Sequence, residues 1–288
     1  GLWRSRTRIK FWIESVWPVP ERDEALREKS GIDRNAQDVM NEDFESFLDW
    51  RLYGEVYHQG VVAVYIIAIE TTSSRGSVAL ARGREVIKTA EFEASRRPSE
   101  LLMEPLGEIL DLVGEGRIEL VVVGTGPGSY NGARVGIAAG QGIGIVHRCP
   151  TVGISSLESL PTVRTGGRCV ALGDARRGTF FTVDLNGGRL LVAPVLSEHP
   201  HFEERVQQAV EDGEALVTLD EVHRLGLGDY QIRPELPSAA FLLESWLSRA
   251  DDERKELAGV PPQPFYLRPP HITKPKETPG REQGIVPG

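Results

Sequence analysis

The sequence has few cysteines, no histidine pair at the spacing of a metal hydrolase and no long apolar run, and each absence excludes a class of protein. Two cysteines in 288 residues, Cys149 and Cys169, are too few for a disulfide framework and lack the C-x-x-C spacing of a zinc site. The six histidines form neither H-x-x-x-H nor H-E-x-x-H, so the ligands of a metal hydrolase are missing. No apolar run approaches the roughly 20 residues that span a bilayer. These absences predict a reduced, cytoplasmic protein without a membrane segment.

Basic residues are also scarce. The chain has 33 Lys and Arg against 42 Asp and Glu, a formal net charge of −9, and no lysine between residues 89 and 254. Autonomous binding to nucleic-acid phosphates needs clustered basic side chains, so the composition argues against it and leaves room only for a local basic patch. The length predicts about two domains.

The first 60 residues differ in composition from the rest and are treated as a separate N-terminal extension. They hold four of the five tryptophans, and DVMNEDFESFLDWRLYGEVY places Phe44, Phe47, Leu48 and Leu52 at helical spacings of three and four. Such a segment could dock on the main body, bind a partner or be poorly ordered. The pattern does not choose between these alternatives and assigns the extension no function.

From residue 61 the sequence predicts alternating strands and helices. Three consecutive strands joined by short turns predict an antiparallel meander, and helix, strand, helix, strand and a short helix follow it. Pro105 is expected to kink or divide the first helix. The predicted elements lie at residues 61–70, 77–83, 85–94, 98–113, 118–126, 131–147, 150–155 and 155–163.

A second and looser pass of the same order follows. It has predicted strands at residues 168–174, 179–186 and 189–196, a helix at 201–213 and a strand at 215–220. The order βββαβαβα is the signature of the ribonuclease-H-like fold, so two passes predict a duplicated, two-lobed actin-like α/β protein with mixed sheets and helices on both faces. We place the first lobe at 61–165, the second at 166–278, and a disordered tail at 279–288.

The stretch GTGPGSYNGARVG tests three phosphate-loop patterns. Walker A fails because no lysine follows, and the Rossmann pattern fails because Ser129 stands at its third glycine. A strand, a glycine turn and a helix N-terminus remain, with Ser129 or Asn131 as N-cap, and such a terminus could receive an anion.

Close packing is the competing interpretation of these glycines. Glycines recur every four residues along the following helix, and each costs about 1 kcal/mol relative to alanine, so a close backbone approach must compensate. Packing against another helix or a protein partner is therefore favoured over phosphate contact. The stripe consists of Gly132, Gly136, Gly140 and Gly144.

Two acids stand where an actin-like ATPase would hold magnesium. Glu70 ends the first strand, as a remnant of a phosphate turn or simply as a surface residue that closes the strand. Asp174 ends the first strand of the second lobe, where Arg176 and Arg177 could contact phosphate, pair with a partner's carboxylates or form a solvated turn. The candidate nucleotide or phosphate contacts are Glu70, Thr71, Gly126, Gly128, Ser129, Asp174 and Arg176.

The motifs resemble one known family. IIAIETTSSRGSVAL (66–80), GTGPGSYNGARVGIAAGQGIG (124–144), GISSLESL (153–160), GDARRG (173–178) and YLRPPHITKPK (266–276) are similar to the TsaB (YeaZ) family, a non-catalytic paralogue of the transferase TsaD. The resemblance covers about residues 65 to 278 and leaves the extension out. One departure is Glu70, where the family commonly has aspartate.

The resemblance implies a scaffold that supports threonylcarbamoyl transfer to the tRNA adenosine beside the anticodon. It implies no intrinsic catalytic residue and no metal, a TsaD-type transferase and a TsaE-type ATPase as partners, tRNA reached through the complex, and a homodimer as an alternative state when the chain is alone. It implies no tightly bound cofactor, although ATP or ADP could bind at the partner interface. By analogy the interface residues are Leu102, Leu106, Arg134, Gly136, Gly140 and Gly144.

Two further functions remain as alternatives. An ATP-dependent phosphotransferase or kinase of the actin-like superfamily would bind magnesium and nucleotide through Glu70, Thr71, Gly126 and Asp174. A peptidase is the weakest alternative, because the metal ligands and the G-x-S-x-G elbow are missing.

Overall fold

A computed structural model describes residues 63–94 and 97–267. The predicted N-terminal helix and the predicted tail at 279–288 lie outside the described residues. None of the helices in the described ranges combines the length and the apolar character that crossing a membrane requires.

The first sheet is a mixed, five-stranded sheet in the order β3–β2–β1–β4–β5. Its strands are β1 (Val64–Glu70), β2 (Arg75–Arg82), β3 (Glu85–Glu93), β4 (Arg117–Gly124) and β5 (Thr151–Ile154). Strands β1 to β3 form an antiparallel meander, and β4 and β5 extend the sheet in parallel with β1. The predicted meander is therefore confirmed. Strands β1 and β4 are buried on both faces, which explains their continuous β-branched sequence.

Helices cover one face of this sheet. They are α1 (Pro98–Leu101), α2 (Met103–Val113) and α3 (Tyr130–His147). The division between α1 and α2 falls at Leu102, four residues after Pro98, because Pro105 has no N–H and its ring would clash with the carbonyl of Leu101 in a continuous helix. Side chains of α2 and α3 pack on β1 and β4 in one core, with Leu102, Leu106 and Ile109 fully or almost fully buried.

The second sheet repeats the arrangement with six strands. They are β6 (Cys169–Asp174), β7 (Thr179–Asn186), β8 (Arg189–Leu190), β9 (Val195–Glu198), β10 (Ala215–Thr218) and β11 (Ile232–Pro234). The order is β11–β10–β6–β7–β8, and β9 also pairs with β7. The predicted single strand at 189–196 is two short strands, because Pro194 between them cannot donate to a sheet hydrogen bond. Helix α5 (His199–Glu211) packs on this sheet.

Three short helices join the two lobes or connect strands of the second sheet. A 3₁₀ helix (Ser156–Ser159) and α4 (Pro161–Arg164) lead from β5 to the second lobe, and a 3₁₀ helix (Val222–Leu225) follows β10. The two-lobed actin-like fold predicted from the sequence is thus the fold observed.

The chain then returns to the first lobe, which the sequence did not predict. Helix α6 (Ala239–Leu247) covers the second face of the first sheet through Leu242, Leu243 and Trp246, and α7 (Asp251–Ala258) follows it. The N–H of Ala239 donates to Oγ of Ser77 on β2. The lobe boundaries at 61–165 and 166–278 stay predictions, with the correction that residues 239–258 pack with the first lobe.

Candidate functional site

The glycine turn after β4 meets the turn after β1. The N–H of Ser129 donates to the carbonyl oxygen of Thr72 (2.6 Å), and the hydroxyl of Thr71 donates to the carbonyl oxygen of Gly132 (2.7 Å). Ser129 is the N-cap of α3, since its hydroxyl accepts from the N–H of Gly132. The hydroxyl of Thr71 and the N–H of Ser129, two groups offered above to a phosphate, are thus engaged within the chain.

The glycine stripe of α3 faces the chain's own sheet. A Cβ at Gly132 would lie 1.9 Å from the carbonyl oxygen of Thr71, one at Gly136 2.4 Å from the Thr71 hydroxyl, and one at Gly140 2.5 Å from Cγ1 of Val123. Real Cβ atoms do not approach other atoms this closely, so only glycine lets α3 sit at this depth. Close packing is therefore the role of the stripe, as the energetic cost of interior glycines indicates.

The burial of these residues corrects part of the proposed interface. Five of the six residues carried over from the family analogy are buried in the first lobe: Leu102, Leu106, Gly136, Gly140 and Gly144. They lie between the helices and the first sheet, so they are not accessible to a partner. Arg134 alone of the six is exposed.

Glu70 is fully buried under the glycine turn and does not close the strand at the surface. Its Oε1 accepts from the N–H (2.7 Å) and the hydroxyl (2.6 Å) of Thr72. Its Oε2 has no hydrogen-bond partner among the described residues and would lie 1.9 Å from a Cβ at Gly124. Burial raises the pKa of this carboxyl above its ordinary value of 4.5, and the hydrogen bonds from Thr72 lower it only in part.

Replacement of Glu70 by glutamine is expected to remove a pH dependence of stability. Because the folded-state pKa is raised, the stabilisation by the neutral acid is complete below the unfolded pKa near 4.5 and is lost as the pH rises through the folded pKa. The free energy of unfolding of Glu70→Gln relative to that of wild type should therefore increase as the pH rises above about 4.5, as urea titrations at several pH values would measure. Glu91→Gln, an exposed change on β3, is the control. A difference that stays constant with pH would contradict the buried neutral acid.

The C-terminal part of the described chain covers the glycine turn. The N–H of Phe265 donates to the carbonyl oxygen of Thr125 (2.7 Å), and the Phe265 carbonyl oxygen would lie 3.5 Å from a Cβ at Gly126. Gly126 is held from the other side by Ser156, whose hydroxyl accepts from its N–H (3.0 Å) and whose own N–H donates to its carbonyl oxygen (2.9 Å). The turn is thus clamped between the GISSLESL segment and the C-terminal segment.

The C-terminal segment also contacts α3 through a cluster of two tyrosines and one arginine. The rings of Tyr130 and Tyr266 stack with centroids 4.8 Å apart, and Nε of Arg134 donates to the Tyr266 hydroxyl (2.9 Å). The Arg134 guanidinium lies 3.8 Å from the Tyr130 centroid, within cation–π range. Arg134 therefore fixes the C-terminal segment and also contributes to the outer surface of α3.

The carboxylate of Asp174, the predicted acidic residue of the second lobe, accepts its hydrogen bonds within a local turn. Asp174 accepts from the N–H (2.7 Å) and the guanidinium (3.1 Å) of Arg176, and its own N–H donates to a carboxylate oxygen of Asp220 (2.8 Å). Arg176 and Arg177 are exposed and have φ angles of 67° and 56°, a left-handed conformation that non-glycine residues rarely adopt. Asp220 was missed by the sequence analysis, although it follows the end of β10 by two residues and Asp174 ends β6.

The predicted nucleotide residues fall into two groups. Glu70, Thr71, Gly126, Gly128 and Ser129 come together at the carboxyl end of β1 and β4, while Asp174 and Arg176 lie at the carboxyl end of β6. The hydrogen bonds of each group stay within its own lobe. Within residues 63–94 and 97–267, no three His, Cys, Asp or Glu side chains are grouped so as to hold a metal ion.

The outer surface of α1, α2 and α3 carries exposed apolar side chains that the sequence analysis did not single out. Leu101 ends α1, Met103 begins α2 and Tyr130 begins α3, and their exposed fractions are 42%, 54% and 38%. Together with Arg134 we name them the upper helical face. Tyr130 could have been found from the helical period, because it lies opposite the glycine stripe of α3, as Arg134 does.

Comparison with known proteins identifies the family. The protein "tRNA threonylcarbamoyladenosine biosynthesis protein TsaB" of Escherichia coli is 30% identical over 245 residues, which are 75% of this chain and 99% of that protein. The chain belongs to the TsaB family. The protein of the same description from Haemophilus influenzae is 27% identical over 238 residues, 75% of this chain and 98% of its own. The TsaD family model, described as tRNA N6-adenosine threonylcarbamoyltransferase, matches residues 92–194.

The solved structures agree on the fold. A Pseudomonas aeruginosa protein, described as uncharacterized with similarity to peptidase YEAZ, superposes with a TM-score of 0.55 at 22% identity over 71% of this chain and all of that one. YeaZ from the same organism gives a TM-score of 0.53 at 21% identity, again over 71% and all. The two TsaB relatives are matched over almost their whole length by about three quarters of this chain.

Proposed function

We propose that this TsaB-family chain is a non-catalytic subunit that supports threonylcarbamoyl transfer to tRNA by binding a TsaD-type transferase through the upper helical face. The observation that carries the proposal is the exposure of Leu101, Met103 and Tyr130 around Arg134 at one end of α2 and α3. Clustered exposed apolar side chains with an aromatic residue and an arginine are typical of a protein interface.

The rigidity of this face also supports an interface. Leu102 and Leu106 hold α2 on the sheet, and Gly132 and Gly136 let α3 pack closely on Thr71. The exposed side chains thus stand on helices whose undersides are fully packed, so little conformational entropy is lost when a partner binds.

The remaining partners and the nucleotide belong to the same proposal. A TsaE-type ATPase and tRNA would join through the transferase complex, and the same face would pair two copies when the transferase is absent. ATP or ADP would bind at the interface with the transferase and not tightly to this chain alone, because the hydroxyl of Thr71 and the N–H of Ser129 are already engaged within the chain.

The Met103→Glu variant is expected to weaken binding of the transferase at least tenfold. The change adds a carboxylate to the exposed apolar side chains of the upper helical face, and burying that charge without a partner is costly. Met103 is 54% exposed, so folding should be unaffected. Calorimetric titration with the TsaD-type protein of the same organism, with and without ATP, measures the effect.

The matched control is Val210→Glu, an exposed valine on α5 of the second lobe. Equal affinities of wild type, Met103→Glu and the control would show that the upper helical face is not the interface. Binding of magnesium and ATP by the chain alone, without affinity for the transferase, would favour a phosphotransferase instead.

A further inference from the structure

Three large aliphatic side chains lie exposed at the other end of the same helices. Ile145 and Val146, in the last turn of α3, are 79% and 75% exposed, more than any other large hydrophobic residue in the described ranges. Leu112, near the end of α2, is 53% exposed. We name these three residues the basal patch. Side chains of this kind so fully exposed on a packed helix indicate a surface that something covers.

The topology places the basal patch where the chain enters β1. Helices α2 and α3 each precede a strand parallel to β1, so both end at the amino end of β1 and β4. There the N–H of Arg117 donates to the carbonyl oxygen of Ala63 (2.8 Å), and the Tyr65 ring packs over Gly116. Ala63, the first residue that the structure describes, therefore lies at the same end of the sheet as the basal patch.

A segment that precedes Ala63 in the sequence has an apolar stripe. In residues 38–53 five large apolar side chains recur at helical spacing (Met40, Phe44, Phe47, Leu48 and Leu52), while Val39, Trp50 and Tyr53 fall outside this stripe. Residues 54–62 connect this segment to β1, and nine residues span up to about 30 Å when extended. Neighbouring packed helices are about 10 Å apart, so the connection is long enough to lay the segment across the ends of α2 and α3.

The charges of residues 38–53 favour contact with the α3 side of the basal patch over the α2 side. Residues 38–53 carry five acidic residues and one arginine (Asp38, Glu42, Asp43, Glu45, Asp49 and Arg51). Helix α3 has no acidic residue, and it ends at His147 and exposed Arg148. Helix α2 ends beside Asp111 and Glu115, which would repel the segment. Opposite charges at the rim fix the register of an apolar contact.

We propose that residues 38–53 dock in cis on the basal patch, with their apolar stripe on Ile145, Val146 and Leu112 and their acidic residues toward Arg148. The N-terminal extension is then a part of the first lobe that covers one end of its helical layer. The upper helical face stays open, so this inference does not depend on the proposed function.

Hydrogen–deuterium exchange of the full chain, read by mass spectrometry, tests the docking. In wild type the amides of residues 38–53 should exchange at least tenfold more slowly than in an unstructured peptide of the same sequence. In Ile145→Asp that protection should be lost, while the amides of β1 and β4 stay protected and show that the lobe is folded. Val210→Asp, a matched change on α5, should leave residues 38–53 protected.

A change in the segment tests the contact from its other side. Leu48→Asp should speed exchange in the last turn of α3 as well as in the segment, without touching the lobe. Unprotected residues 38–53 in wild type would overturn the proposal, and so would protection that Ile145→Asp leaves intact. Protection that falls on dilution would show a second copy on the patch instead of the chain's own segment.

Discussion

Replacement of Gly132 by alanine is expected to destabilise the first lobe by about 3 kcal/mol or more, the upper range for overpacking a core. The new Cβ would lie 1.9 Å from the carbonyl oxygen of Thr71. That oxygen belongs to the backbone of a turn that also holds Gly132 through the Thr71 hydroxyl and Ser129 through Thr72. The clash cannot be relieved by one side-chain rotation, so the turn and α3 must separate.

Gly142 on the same helix supplies the matched control. A Cβ at Gly142 meets no atom within 4 Å, so Gly142→Ala should stabilise the chain by up to about 1 kcal/mol through helix propensity. Urea denaturation of both variants compares the free energies of unfolding, and the two changes should have opposite signs. If Gly132→Ala were as stable as wild type, close packing would not be the reason for the glycine stripe.

Removal of the Glu158 carboxylate is expected to cost about 3 to 5 kcal/mol, the usual loss when one partner of a buried ion pair is deleted. Glu158 lies in the GISSLESL segment and accepts from the guanidinium of Arg249 and the hydroxyl of Ser245 (2.9 Å). The Glu158 and Arg249 side chains are 9% and 6% exposed. Glu158→Ala would leave Arg249 buried without its carboxylate.

Two more arginines raise this cost. Arg189 of β8 lies 4.0 Å from Glu158. Arg189 and Arg164 of α4 both donate a hydrogen bond to the hydroxyl of Ser248. Burial lowers the pKa of both guanidinium groups, which shows that charge there is poorly solvated. The cluster joins the segment between the lobes to α6 and to the second sheet, so its loss should loosen both lobes.

The control for Glu158→Ala is Glu244→Ala. Glu244 is about half exposed and pairs with Arg164 at 3.8 Å, so its loss should cost less than about 1 kcal/mol. A double variant that also replaces Arg249 with methionine should recover part of the loss, because the most deeply buried guanidinium is then no longer left without its carboxylate. Thermal or urea unfolding of the three variants and wild type measures these differences. A loss equal to that of Glu244→Ala would contradict a buried ion pair.

The sequence determined most of the elements and their order from β1 to β10. Uninterrupted β-branched runs predicted the buried strands, Pro105 predicted the break between α1 and α2, and Ser129 was a correct N-cap candidate. These signals are local, because they depend on burial of whole segments, on a missing N–H and on one capping hydroxyl. The family motifs in turn identified the fold and the TsaB family.

Only the tertiary structure decided which side of each element faces outward. The glycine spacing showed that something approaches α3, but it did not show that the approaching atoms belong to Thr71, which lies 61 residues from Gly132, and to Val123 and Thr151 on the neighbouring strands. The same is true of Glu70, whose burial depends on Gly124 and Ser156. The return of α6 to the first sheet was also out of reach, because a helix pattern shows an apolar face without naming the sheet that it covers.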